Sequence, residues 1–232
     1  MHTVLITGTN RGIGQALVEE ALRQGAERVY AGTRVPLTHK DPRVTYLSLD
    51  VTDQAQIEAA AKTIEHLDVL VNKAGLAAYD NLSDRALLEE HLAVNLFGPH
   101  ALASAFLPQL IEARGAIVNV LSVAALASLP MIPAYSISKA AAFSLTQAQR
   151  ALLAPQGVRV HAVLTGPTDT EMSRDLDVPK ASPESVARAI FDGVAAGNEE
   201  IFPDPLSAML APGWASGAVK QLERQNAALL SA

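Results

Sequence analysis

Tyr135 and Lys139 stand four residues apart in the stretch Pro133-Ala134-Tyr135-Ser136-Ile137-Ser138-Lys139. On a helix that spacing stacks both side chains on one face. An ammonium beside a phenol favours the phenolate, so a tyrosine that ordinarily ionises near pH ~10 is expected to trade protons closer to neutrality. Taken alone, the pair is equally a tyrosine at a core edge beside a solvated lysine. What decides is whether the rest of the chain brings other reactive groups to the same place.

The N-terminal stretch brings the first. Val4-Leu5-Ile6 has the character of a short buried strand, Thr7 through Gly14 is glycine-rich, and apolar spacing then turns helical through Ala16, Leu17, Ala21 and Leu22. Strand, glycine turn and helix form the layout in which N–H groups at a helix N-terminus receive a phosphate. Gly8, Gly12 and Gly14 follow G-x-x-x-G-x-G rather than G-x-G-x-x-G, and plain turn geometry is the competing explanation. A second strand, 29–32, ends at Thr33-Arg34, where an NAD-binding chain usually carries a carboxylate for the ribose 2′-hydroxyl. Arg34 stands there instead, with Arg11 in the glycine loop; two guanidinium groups and the Thr33 hydroxyl suit a 2′-phosphate, so NADP(H) is the expected cofactor. Solvated surface charge is the alternative for both arginines.

Further strands are expected at 44–49, ending in Asp50; at 67–71, ending in Asn72-Lys73-Ala74-Gly75; at 116–121, ending in Ser122; at 158–163, running into Thr165–Thr170; and briefly at 201–202. Helices are expected after a Thr52 or Asp53 cap, over roughly 84–110 with several apolar faces, from Pro133 to about Leu153, and from a Ser182 cap to about Ala196. This alternation predicts an α/β fold with a doubly wound parallel sheet, a Rossmann fold, as a single domain over 1–232 with a C-terminal extension from about 204. Ligands of such sheets sit beyond the carboxyl ends of the strands, where Gly8, Arg34, Asp50, Asn72, Ser122 and Gly166 all fall.

Composition narrows the classes. Apolar residues make up 49% but aromatics only 4%, so aliphatic side chains and alanine must build the core. The formal net charge of -6, with both signs scattered, argues against a nucleic-acid surface. There is no cysteine, hence no disulfide framework or thiolate chemistry. The six histidines are scattered without an H-E-x-x-H, so no metal site is expected. With no apolar stretch of spanning length and no evident leader, the expectation is a soluble cytoplasmic protein.

Together these residues resemble the short-chain dehydrogenase/reductase family over about residues 3–203. Thr7 through Gly14 is similar to its T-G-x-x-x-G-x-G cofactor loop, Asp50 to its adenine-contacting aspartate, Asn72-Lys73-Ala74-Gly75 to its N-N-A-G turn, and Gly166 with Thr170 to its P-G-x-x-x-T segment. Tyr135 and Lys139 supply Y-x-x-x-K, Ser122 lies where the family's serine does, and Asn95 matches its fourth catalytic residue. The resemblance implies cofactor contacts from Gly8, Asn10, Arg11, Gly12, Ile13, Gly14, Thr33, Arg34, Asp50, Val51, Asn72, Ala74, Gly75, Tyr135, Lys139, Gly166, Thr168 and Thr170. Lys73 in place of asparagine, Thr165 in place of proline, the short stretch from Thr170 to Ser182 and the missing D-G-G close are departures. For Lys73, a charge turned to solvent is the expectation.

The implied chemistry is hydride transfer between a nicotinamide and a carbonyl or alcohol. Tyr135 would protonate the developing alkoxide, Ser122 would bind that oxygen, Lys139 would lower the Tyr135 pKa and hold the ribose, and Asn95 would position a water that returns protons to Lys139. Leu76, Tyr79, Ala124, Leu126, Met131, Pro167 and Met172 are candidates for a mostly apolar substrate wall, which favours an uncharged ketone or aldehyde. A 3-oxoacyl thioester reductase and a non-catalytic NADP-binding sensor are the competing functions. The apolar 84–110 helix and the small-residue helix after Pro133 suggest a homodimer or homotetramer.

Overall fold

The computed structural model describes residues 2–230; residue 1 and residues 231–232, the ends of the expected domain, lie outside the described residues. β1 (Thr3–Thr7), β2 (Arg28–Thr33), β3 (Val44–Ser48), β4 (Val69–Asn72), β5 (Ala116–Ser122), β6 (Arg159–Thr165) and β7 (Glu200–Ile201) form one sheet in the order β3-β2-β1-β4-β5-β6-β7. Every neighbouring pair is parallel. The helices are α1 (Gly12–Arg23), α2 (Gln54–Thr63), α3 (Arg85–Leu92), α4 (Gly98–Ala105), α5 (Leu107–Glu112), α6 (Pro133–Leu153) and α7 (Pro183–Ala195), followed by α8 (Pro205–Ala208), α9 (Ala211–Ala215) and α10 (Ala218–Ala228).

The strands read as continuous apolar runs because both faces are covered. With a side-chain period of two, Val4, Ile6, Val29, Ala31, Val69 and Val71 turn to one core with α1 and α7. Leu5, Tyr30, Leu70, Ile117 and Val160 turn to the other, with α2, α4 and α5. Strand order runs outward in both directions from the β1–β4 pair, so a crevice opens beyond their carboxyl ends.

The single helix expected over 84–110 is instead α3, a π-helical turn (Ala93–Phe97), α4 and α5, with a break at Phe106. Proline explains where the ladder changes. Pro99 has no N–H for the carbonyl of Asn95, and Pro108 has none for that of Ser104. The wider turn falls on Asn95, a residue singled out for chemistry.

The C-terminal extension docks on α6. Trp214 packs on Phe143 with ring centroids 5.4 Å apart, and Leu126 and Phe202 join them. Beside that cluster Lys220 is only 2% exposed and donates to Glu199 at 2.8 Å and to Glu200 and Glu223 at 2.9 Å. Arg150 of α6 reaches the same Glu200 at 2.8 Å. Among the described residues no helix is long and apolar enough to cross a membrane.

Candidate active site

A cleft of about 300 Å³ lies at the crevice, walled by the glycine loop, the ends of β2, β4 and β5, and the first turns of α6. Its floor has to be bare backbone. Gly8 sits at φ +69°, and a Cβ there would lie 2.8 Å from the Cα of Ala74. A Cβ on Gly14 would run into the carbonyl oxygen of Gly8. Thr7 Oγ1 accepts from the N–H groups of Lys73 and Ala74, both at 3.0 Å, stitching the loop after β4 to the end of β1. Asn10, Arg11, Gly12, Ile13, Thr33, Arg34, Asp50, Val51, Ala74, Gly75 and Thr170 line the cleft with Gly8, Tyr135 and Lys139. A close backbone floor, the N-terminus of α1 and a guanidinium at the β2 end fit the phosphates of a dinucleotide.

The arginines differ. Arg34 is exposed, and its charge helps to keep Asp50 ionised: burial pushes that carboxyl up, but bonds from Thr52 N (2.9 Å) and Oγ1 (2.7 Å), with Arg34 behind them, hold it below the usual range. Arg11 is ion-paired with Glu171. Thr33 also departs from expectation: its hydroxyl donates to Val35 O at 3.2 Å and accepts from Val35 N at 3.1 Å, so it closes its own turn.

Gly14, Asn72, Gly166 and Thr168, all expected to touch cofactor, lie outside the cleft lining. Gly14 packs within α1 against the glycine loop. Asn72 is buried and donates from Nδ2 to Asn119 Oδ1 at 2.8 Å, because the strand alternation turns its side chain beneath the sheet end. The N–H of Gly166 donates to Asp204 Oδ2 at 2.7 Å, and Thr168 is buried in a bridge to Ala181. Asp204, at the start of the extension, thus holds Gly166; beyond Thr165 at the end of β6, Thr170, Glu171 and Met172 of the following segment reach the cleft.

On the reactive side, Asp80 caps α6 from a distant loop by accepting from Ala134 N at 3.2 Å, which fixes Tyr135 in the first turn. Lys139, 5% exposed, donates to Val120 O at 2.9 Å, and its ammonium lies 5.7 Å from the centroid of the Tyr135 ring. Ser122 ends β5, where its Oγ accepts from Ala124 N at 3.1 Å. Asn95 Oδ1 accepts from Leu76 N, and its Nδ2 donates to Leu76 O, both at 2.9 Å, and to Ser138 Oγ at 2.8 Å. Asn95 therefore clamps the loop after Gly75 onto α6, just outside the cleft lining. Behind Lys139 lies a void of about 10 Å³ lined in part by Asn72, Asn95 and Asn119, about the space of one water. Asn72 Oδ1 has no partner among the described residues.

Electrostatics overturns one expectation. Tyr135 is raised above its ordinary value by burial, with the nearby Ser122 hydroxyl pulling it part-way back. Lys139 is itself lowered to about 7, first by burial and then by the charge of Lys73. Burial thus outweighs any pull from Lys139, and the Tyr135 pKa stands above rather than below its ordinary value. Lys73 is half-buried and lines the cleft, where burial, then Arg11, lowers it to about 8.

Residues 2–180 match the family model described as short chain dehydrogenase. The chain belongs to the short-chain dehydrogenase family. The short-chain dehydrogenase PC-15 of Penicillium crustosum is 40% identical over 186 residues, covering 73% of this chain and 66%, just under two thirds, of that relative's own length. A solved short-chain dehydrogenase from Burkholderia cenocepacia, in complex with NADP, is 36% identical with a TM-score of 0.88, over 97% of this chain and 96% of the other. An NADPH-bound carbonyl reductase from chicken fatty liver is 28% identical with a TM-score of 0.75, over 80% and 83% of the two chains. Within this family frame, Asp80 and Asp204 are the positioning residues that motif reading missed. Asp204-Pro205-Leu206-Ser207 carries a visible cap signature, and Asp204 Oδ1 accepts from Ser207 N at 3.0 Å. Its second bond, to Gly166, has no local signal.

Proposed function

We propose that this short-chain dehydrogenase reduces an uncharged ketone or aldehyde to an alcohol with NADPH. The observation that carries the reading is the meeting of Tyr135 and Lys139 in a cleft that also holds a glycine cradle and Arg34, with the Ser122 hydroxyl against Tyr135 just behind the lining. The NADP and NADPH carried by the two solved relatives support the choice of cofactor.

Bound NADPH supplies the hydride that makes the new C–H bond. The chain's own residues handle the oxygen and the proton. Ser122 donates to the carbonyl oxygen and strengthens that bond as charge develops there. Tyr135, kept protonated by burial, transfers its hydroxyl proton to the same oxygen. Lys139, poised near neutrality, returns a proton to Tyr135, and Asn95 with the one-water void behind Lys139 gives a route for replenishment. Leu76, Met172 and the exposed Tyr79 and Met131 supply an apolar approach. The test is loss of NADPH absorbance with a panel of ketones, aldehydes and 3-oxoacyl thioesters. Turnover of simple carbonyls is expected; binding of NADPH without turnover of any of them would leave the sensor reading, and turnover of thioesters alone would select the acyl reductase.

The proposal includes a homodimer or homotetramer built on α3–α5 and α6. Its support is exposed apolar surface on those elements, with Phe97 60%, Ile137 41% and Leu152 58% exposed. Light scattering that gave a monomer at micromolar concentration would remove it.

A further inference from the structure

Lys73 has no task in the scheme above. Its backbone N–H is bonded to Thr7 Oγ1, and the next residue, Ala74, abuts Gly8, so its side chain departs beside the glycine turn. It lines the cleft together with Gly8, Arg11 and Gly12. Among the described residues no acceptor or carboxylate is bonded to its ammonium, whereas Lys139 has Val120 O and Lys220 has three carboxylates. Lys73 is half-buried, and a partly desolvated cation with no partner gains when an anion arrives to pair with it.

We propose that Lys73 anchors the pyrophosphate of the nicotinamide dinucleotide, its ammonium gripping the diphosphate from the β4 side while the glycine-loop N–H groups hold it from the β1 side. The inference rests on the dinucleotide reading above. Arg11 supports it: although ion-paired with Glu171, it still repels Lys73, and a dianion bound beside Lys73 would offset that repulsion. The 2′-phosphate belongs elsewhere, at the β2 end with Arg34, and the reacting carbonyl belongs with Tyr135. Lys73, beside the glycine loop, is assigned to neither. The other charged groups lining the cleft are Arg11, Arg34, Asp50, Glu90, Lys139 and Glu171. Binding of the diphosphate draws Lys73 towards its protonated form, so affinity is highest below pH about 8 and falls as pH rises through it.

The test is direct binding of NADPH and NADH to the full chain by calorimetry, without turnover. Lys73→Met is expected to weaken both dinucleotides alike, by roughly 10- to 100-fold, with Lys73→Arg recovering most of the loss. The alkaline fall in wild-type affinity should flatten in Lys73→Met, leaving only the contribution of Lys139. Should Lys73→Met not fold, as judged by its melting transition, Lys73→Asn restores the family's usual residue and makes the same comparison. Unchanged affinity for both dinucleotides overturns the anchor, as does a loss confined to NADPH, which would assign Lys73 to the 2′-phosphate. So does unchanged affinity with a raised KM for an anionic substrate only. If the wild type binds neither dinucleotide, the reading of the cleft falls; if the wild type binds and Lys73→Met binds equally, only the anchor falls.

Discussion

Lys220 in the C-terminal extension and Lys139 in the cleft are hidden almost equally, 2% and 5% exposed, yet their proton affinities move in opposite directions. For both, burial works against the charge. At Lys220 it is outweighed by hydrogen bonds to Glu199, Glu223 and Glu200, and the pKa rises. At Lys139 the one strong contact is a neutral carbonyl and the nearby charge is another lysine, so the pKa falls to about 7. The extension satisfies its buried charge internally and is finished as a structure. The cleft leaves Lys139 and Lys73 short of negative charge and completes its electrostatics with a ligand. This contrast separates structural from functional buried cations without reference to motif.

Tyr135→Phe probes the unfinished side with the largest effect. It keeps the ring that packs in the first turn of α6 but removes the proton, so kcat should fall by about 10²–10⁴ while NADPH affinity is retained. Reduction at near wild-type rate would show that the cleft's chemistry runs through another acid. Lys220→Met probes the finished side. Three carboxylates would lose their shared cation, and unfolding measured by urea should show a loss of about 3 kcal/mol with kcat little changed. A stability equal to wild type would mean that Arg150 alone holds the cluster and that the contrast is weaker than drawn.

Lys139→Met sharpens the comparison through pH. The folded pKa of Lys139, about 7, lies below its ordinary 10.5, so the unfolded chain binds the extra proton between those values. The penalty of keeping Lys139 buried is therefore full below pH 7 and declines as pH rises towards 10.5. Without ligand, the melting temperature of Lys139→Met should exceed that of the wild type most at pH 6, and the gap should close by pH ~10. A gap that widened with pH would reverse the assignment. Activity should be lost at every pH.

The sequence made the strand ends legible because each parallel strand is an unbroken apolar run ended by a polar or glycine residue, as at Thr7-Gly8 and Leu121-Ser122. The Tyr135–Lys139 helix was legible through Pro133 and spacing. The sign of the Tyr135 pKa was not, because spacing reports proximity and says nothing of desolvation, which dominates here. The cleft that Lys73 lines was not legible for the same reason: its neighbours there, Arg11 and Gly8, lie more than sixty residues away in the chain. That Gly166 and Thr168 lie outside the cleft was not legible, because their partners Asp204 and Ala181 are long-range contacts. The break within 84–110 could have been read from Pro99 and Pro108.

The smallest effect concerns Arg34, the exposed counterpart of the two cleft lysines. Its guanidinium stands in solvent at the β2 end, beside an Asp50 held ionised by Thr52. Screening weakens any charge there, so one contact to a 2′-phosphate is expected to give about one decade of preference, near 1.4 kcal/mol. Arg34→Ala should lower the ratio of kcat/KM for NADPH over NADH by about tenfold while leaving NADH untouched. Thr33→Asp should push the ratio further the same way, since a carboxylate repels the phosphate and accepts from a 2′-hydroxyl. The wild-type ratio should also shrink between low and high salt, because an exposed pair is screened where a buried one is not. A ratio that Arg34→Ala leaves unchanged would move the 2′-phosphate to Arg11, which would first have to leave Glu171. A preference that resisted salt would place the deciding contact inside the cleft, on the same side of the comparison as Lys73 and Lys139.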